Sequence, residues 1–401
     1  MAMRVGTGKL DRNVKSLAAV SFFTDVSSEM IYPLLPLFLS TVLGTSAATL
    51  GLIEGLAESV SSLMRLPAGW WSDRVRRRKP LVLAGYGLSS LARPLIGLAQ
   101  AGSQVLVIRV ADRFGKGMRS APRDALIADS VAPSERGYAF GLHRSADNLG
   151  AVFGPLVAWA ILGLGWVDLR GLFLWSALPG AIAVVLVVAL VRERRALPSA
   201  SAKTAPVHAM ARGAFGAPLR RYLVVLFIFT LGTSTDAFLL LRASQLGVPT
   251  ALVPILWAML HVVKSGLAVV GGGLSDRVGR RPLILGGWAV YAAVYLGFAV
   301  ATAQWHAWAL FLVYGLYFGM TEGAEKALVA DLAPSTRRGA AFGWFNLVVG
   351  IGALPASVLF GIVWDAAGPP AAFAMGAAIA ATAAVLLSRL VPNTGSPASE
   401  R

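Results

Sequence analysis

Two pairs of carboxylates stand four residues apart in otherwise apolar stretches: Asp25 with Glu29, and Glu54 with Glu58. In a helix each pair shares one face. Such a face could carry a proton, bind a cation or pair with basic side chains. A third stretch supplies those basic side chains, because Arg109, Asp112, Arg113, Lys116 and Arg123 recur at three- and four-residue steps, with Arg119 at the edge of the same face. His143, Arg144 and Asp147 follow, and Asp236, Arg242, Lys264, Glu322, Glu325 and Lys326 are spread through the second half of the chain. The pattern predicts a polar cavity walled by charged helix faces, with Asp25, Glu29, Glu54 and Glu58 as proton-coupling candidates. The substrate-cavity candidates are Asp112, Arg113, Lys116, His143, Arg144, Asp147, Asp236, Arg242, Lys264, Glu322 and Glu325.

The elements that must hold these residues are membrane helices. The chain is 56% hydrophobic and only 14% charged, with a mean hydropathy of +0.67, whereas soluble domains carry about 25% charged residues. Charges at membrane depth cost about 2.5–3.5 kcal/mol each on insertion scales, so each is a functional candidate until a partner explains it. An internal salt-bridge network that only fixes helix packing is the ordinary alternative. Arg119, Arg123, Asp124, Lys326 and Asp331 lie near span ends, where snorkelling or a gate suits them better than binding.

Gly, Pro and charge punctuation predicts an all-α polytopic membrane protein of about twelve spans, near 16–42, 49–71, 80–100, 104–128, 138–163, 171–191, 220–245, 250–274, 282–303, 307–331, 340–363 and 371–391. Connections alternate in character. One set is basic (Arg74–Lys79, Arg136, Arg192 to Arg221, Arg277–Arg281, Arg337–Arg338), whereas the other lacks Lys and Arg except for Arg170. The bias of cytoplasmic loops toward Lys and Arg accounts for much of the net charge of +16, places both termini in the cytoplasm, and makes nucleic acid an unneeded partner. The basic N-terminus resembles the start of a signal peptide, but the segment after it contains Asp25 and Glu29 and has no clear cleavage site, so it reads as a retained first span. No cysteine is present, which excludes disulfides and thiolate metal sites.

The expected organisation is an N-terminal six-helix bundle at 1–191, a cytoplasmic linker at 192–218, a C-terminal six-helix bundle at 219–391 and a cytoplasmic tail at 392–401. A repeat supports it. Gly69-Trp-Trp-Ser-Asp73-Arg74 returns as Gly272-Gly-Leu-Ser-Asp276-Arg277, and Ala125-Leu-Ile-Ala-Asp129 returns as Ala327-Leu-Val-Ala-Asp331, about 202 residues later in the same order. Duplicated halves with a site between them are a recurrent transporter plan.

These residues resemble the major facilitator superfamily of secondary transporters. Its loop signature Gly-x-x-x-Asp-Arg/Lys-x-Gly-Arg-Arg/Lys is matched fully by Gly272, Asp276, Arg277, Gly279, Arg280 and Arg281. In the first half Gly69, Asp73, Arg74, Arg77 and Arg78 match, while Arg76 replaces the second glycine. The resemblance implies that this loop is a gate latch, and that Gly150, Gly154 and Pro155 look like an antiporter signature. Glycines spaced by four also simply let helices pack closely. Arg109 with Gly115 looks like a motif associated with proton coupling.

The expected function is secondary active transport of a small polar or charged solute by alternating access, as a proton-coupled exporter of the antiporter-like subgroup in a cytoplasmic (inner) membrane, acting as a monomer. Protonation of Asp25 or Glu29 would alter pairing with the fourth-span stripe and bias the access state. The alternatives are an uptake carrier for an organic anion or a metal-related cation, or a transporter-like sensor, assembly factor or lipid flippase. No catalytic triad, His-Glu-x-x-His or Gly-x-x-x-x-Gly-Lys-Ser/Thr loop occurs, so neither an enzyme nor an ATP site is expected. The energy source is then a proton or other ion gradient, and no cofactor or metal site is expected. Trp257, Trp288, Tyr291, Tyr295, Tyr314, Tyr317 and Phe318 read as packing or interfacial residues rather than as a cavity wall. His261 near Met259 reads the same way.

Overall fold

Two of the spans are broken at corresponding places in the two halves. The first runs as a helix over Arg12–Glu29, started by Asp11 accepting from the Asn13 N–H, and then passes through short 3-10 and π turns to Val42. Pro33 and Pro36 cause the change, since neither can donate a helical hydrogen bond. The seventh span is split into Ala217–Gly232 and Ala237–Gln245 by an extended Thr233. Both breaks lie beside the central cavity, where irregular backbone is tolerated in a membrane protein.

This computed structural model describes residues 11–75, 77–132, 136–193, 215–334 and 338–393; at 66, 73, 75, 136–138, 268–273, 276–277 and 338–340 it describes the backbone alone. Most of the expected linker and tail, Arg76, and the side chains of Asp73, Asp276 and Arg277 therefore lie outside the described residues.

Among the described residues all regular structure is helical. The remaining spans are Ala47–Val75, Lys79–Leu95, Gly102–Asp129, Arg136–Gly163, the pair Leu169–Trp175 and Ala177–Leu190, Val253–Val278, Arg280–Val300, Gln304–Leu332 and the stretch Arg338–Leu390. That last stretch holds two spans, divided at Gly368, whose φ of 83° suits glycine. Twelve spans result among the described residues. Most begin a few residues before the apolar segment does, because helical hydrogen bonding continues into the interface where charged side chains are solvated. Among the described residues seven helical segments are long and apolar enough to cross a membrane, the last of them, Ala341–Leu390, holding the eleventh and twelfth spans. The other four, the first, second, fourth and tenth, are the ones carrying the densest intramembrane charge.

The repeat is visible in three dimensions. Arg78 pairs with Asp129 in the first half, and Arg280 pairs with Asp331 in the second at 3.4 Å, each across 51 positions. Lys79 donates to the Val188 carbonyl and Arg281 to that of Val391. The loop signature aligned Arg280 with Arg77, yet the ion pair in the first half falls to Arg78, because the third helix begins at Lys79 and directs the residue before it toward the end of the fourth. These pairs tie helices within each half. Arg74 lies over the Trp70 ring, and Gly279 has a φ of 99°.

The halves meet along the second and eleventh spans. A Cβ at Gly51 would lie 2.1 Å from the Ser357 carbonyl oxygen, one at Gly361 2.5 Å from that of Ala47, and one at Gly55 3.0 Å from Leu354 Cα. Small residues permit this approach, the usual means by which helices associate without a hydrophobic driving force. At the end away from the basic loops, Asp365 accepts from the Ala47 and Ala48 N–H groups at 2.9 and 2.8 Å. It thereby caps the second helix from the opposite half.

Candidate functional site

A cavity of about 580 Å³ lies between the halves. Its first-half wall comprises Glu29 and Tyr32 from the first span, Glu54 and Glu58 from the second, and Arg113 and Lys116 from the fourth. Its second-half wall is aromatic and charged: Phe229, Trp257, Tyr291, Tyr314, Tyr317 and Phe318, with Asp236, His261, Lys264, Glu322, Glu325 and Lys326. Tyr32 and Thr235 share a hydrogen bond of 3.3 Å across the cavity at the two helix breaks. Glu58, Lys326 and Asn346, toward the basic loops, remain exposed. The cavity is thus closed on the loop side that is poor in Lys and Arg and reached from the basic side.

The fourth-span stripe divides into two populations. Arg109 grips Glu54 with two hydrogen bonds of 2.8 and 2.7 Å. Asp112 accepts from Arg93 at 3.0 Å and Arg109 at 3.3 Å. Arg119 donates to Ser89 at 2.8 Å and lies over the Tyr86 ring. Arg109, Asp112 and Arg119 are buried, so Arg109 and Asp112 do not line the cavity as the periodicity suggested. The fourth helix is packed by the second and third as well, and part of its polar face is consumed there. Arg113 and Lys116 turn into the cavity. The nearest acid oxygen to Arg113 is Asp112 Oδ2 at 3.9 Å, and among the described residues Lys116 has no salt bridge.

Arg242 also lies outside the cavity, donating to the Ala301 carbonyl at 2.8 Å at the end of the ninth span. Asp147 accepts from Ser21 and faces His143 Nδ1 at 3.6 Å, which places this group between the first and fifth spans. Asp25 is behind the wall rather than on it, within electrostatic reach of Asp147, Lys116, Glu29 and Arg119. Arg144 reaches across the halves to Glu322 at 2.7 Å, and Lys264 and Lys326 approach the same carboxylate at 3.9 and 3.7 Å. Arg170, the exception among the otherwise neutral loops, donates to the Gly97 and Ala99 carbonyls and covers the Phe38 ring.

The glycine pair of the fifth span has a definite partner. A Cβ on Gly150 would lie 2.6 Å from the Phe22 carbonyl oxygen and 2.8 Å from Asp25 Cβ; one on Gly154 would lie 2.8 Å from the Val26 carbonyl oxygen and 3.0 Å from Glu29 Cβ. The four-residue spacing of these glycines therefore matches that of the two acids and seats them.

Three cavity carboxylates are held by aromatic donors. Trp257 Nε1 donates to Glu29 at 2.8 Å, Tyr314 Oη to Asp236 at 2.7 Å and Trp288 Nε1 to Glu325 at 3.0 Å. None has a salt bridge among the described residues. Sequence reasoning assigned these aromatics to packing, since helical spacing does not distinguish a ring facing lipid from one facing a cavity. Trp288 fits that reading in part, being buried and stacked on Phe229 at 4.0 Å.

A family model described as Major Facilitator Superfamily matches residues 17–357. An uncharacterized MFS-type transporter of Methanocaldococcus jannaschii is 33% identical over 387 residues, covering 94% of this chain and 95% of the relative. Sugar efflux transporter A of Dickeya chrysanthemi is 25% identical over 394 residues, covering 95% and 96%. Among solved structures, a mutant of the nucleoside transporter NupG aligns with a TM-score of 0.80 at 12% identity, covering 94% of this chain and all (100%) of that one; at such identity the likeness concerns the fold.

Proposed function

Because the chain belongs to the major facilitator superfamily and is therefore a multi-pass membrane transporter of small solutes, we propose that it is a proton-coupled exporter of a polar, charged molecule in a cytoplasmic membrane, working as a monomer. The observation that carries this reading is Glu29. It lies on the cavity wall, bonds across the halves to Trp257, and has no basic partner within salt-bridge distance among the described residues. A proton taken up there removes a charge that acts on the Trp257 contact, on His261 and on Asp236, while Asp25 behind it acts on Lys116 and Asp147. Charge change at such a joint biases the equilibrium between access states. Export is supported by the likeness to the Dickeya sugar efflux transporter.

Uptake of an organic anion is the competing reading, favoured by Arg113 and Lys116 facing the cavity. The test is flux in proteoliposomes under an imposed pH gradient, using solutes that accumulate in a deletion strain. Outward movement of the solute against inward proton flow supports exchange. Movement of both in one direction overturns it.

A further inference from the structure

Both walls of the cavity carry acids and bases, but the bases Arg113 and Lys116, which bridge no acid closer than 3.9 Å among the described residues, stand on the first half, and the acids Asp236 and Glu325, each held by an aromatic donor, stand on the second. We infer that the substrate is a dipolar, amino-acid-like molecule with a flat apolar body. This rests on the transport reading above and names the solute class for the same cavity. On the first-half wall Arg113 and Lys116, three residues apart, present cationic groups. Asp112 is already shared by Arg93 and Arg109, so little of its charge is left for Arg113 at 3.9 Å. Glu58 and Asp25 act on Lys116 from a distance without bridging it. An anionic group of the substrate completes that wall.

The second-half wall has the complementary shortage. Asp236 and Glu325 are each oriented by a neutral donor, Tyr314 and Trp288, and bridge no cation among the described residues. A carboxylate held at one oxygen by an aromatic N–H or O–H leaves its remaining lone pairs for a donor in the cavity. The surrounding ring faces attract a cation further. Phe229 stacks on Trp288, and Tyr291 packs on Tyr317 at 5.0 Å, giving flat apolar surface for the body of the solute. An ammonium end therefore belongs on the second half and an acid end on the first.

A molecule with both ends must engage both halves to satisfy both walls. A cation or an anion alone satisfies one half and leaves the other half's charges uncompensated in the cavity.

The experiment measures thermal stabilisation of the full-length detergent-solubilised protein by three probes sharing one ring and chain: L-phenylalanine, 2-phenylethylamine and 3-phenylpropionate. Phenylalanine is expected to stabilise at concentrations about tenfold or more below either single-charge probe. Asp236→Asn and Glu325→Gln should weaken phenylalanine and phenylethylamine but not phenylpropionate, and Arg113→Gln and Lys116→Gln should weaken phenylalanine and phenylpropionate but not phenylethylamine. Equal or stronger stabilisation by a single-charge probe, stabilisation by none of the three, or variants that affect all three equally would overturn the assignment. The measurement uses no gradient, so its failure leaves proton-coupled transport standing, and loss of pH-driven flux leaves the binding result standing.

Discussion

Trp257 donates its indole N–H to Glu29 at 2.8 Å, joining the eighth span of one half to the first span of the other. The joint depends on a carboxylate whose charge state a proton can change. Glu29→Gln is expected to abolish flux driven by a pH gradient while leaving the melting temperature within a few degrees of wild type. Trp257→Phe keeps the ring packing against Tyr32, 5.1 Å away, and removes the donor; it should shift the pH profile of transport. A Glu29→Gln protein that still follows the pH gradient would place coupling elsewhere.

Asp365 caps the second helix from the other half, combining the capping of free N–H groups with a favourable charge at the positive end of a helix dipole. The contact must break if the halves separate at this end. With a cap worth about 0.5–2 kcal/mol, Asp365→Ala should raise the population open on that side by roughly twofold to thirtyfold. The chain has no cysteine, so spin labels at Val42→Cys and Ala367→Cys report the distance between the halves without background. An unchanged distance distribution would show that the cap does not hold the closed side.

The Glu54–Arg109 pair is buried and bidentate. Removing one partner of such a pair costs about 3–5 kcal/mol, so Glu54→Gln should lower the melting temperature strongly and reduce yield. Lysine at 109 cannot reproduce two parallel bonds and should fall in between. Glu58→Gln is the control, because Glu58 is exposed, accepts only a long hydrogen bond of 3.5 Å from Ser62 Oγ and has no salt bridge among the described residues; its effect should stay within about 0.5 kcal/mol. Full stability in Glu54→Gln with lost transport would instead assign the pair to coupling.

Gly154 faces the Val26 carbonyl and Glu29 Cβ. Backbone cannot retreat as a side chain can, so Gly154→Ala should push the first and fifth spans apart, costing about 1–3 kcal/mol by overpacking and disturbing pH-driven flux through Glu29. Gly163, later in the same helix, has nothing within 4 Å of its added Cβ, and Gly163→Ala should be neutral. Comparable melting temperatures for the two variants would contradict a seating role for the motif.

Much of the architecture is fixed by local chemistry. Apolar length sets the spans, the Lys and Arg bias of alternate loops sets their orientation, and the repeat around Asp73 and Asp276 sets the two halves, all through properties each segment carries on its own. The candidate set also held most of the charged cavity lining, because intramembrane charge is costly wherever it occurs. Partner choice was not local. Arg109 and Arg113 lie four residues apart on one helical face, yet the first is consumed by Glu54 and the second faces the cavity. The difference arises because neighbouring helices cover part of the stripe, and one-dimensional periodicity does not record which neighbour covers which turn. The same holds for Tyr314 and Trp257, whose rings read as packing until Asp236 and Glu29 are seen to receive their donors, and for Asp365, which met no rule until the folded halves brought it to the start of the second helix. The sequence determined how many spans there are, which way they run and which carry charge; tertiary packing alone decided which of those charges neutralise one another and which remain for a proton or a solute.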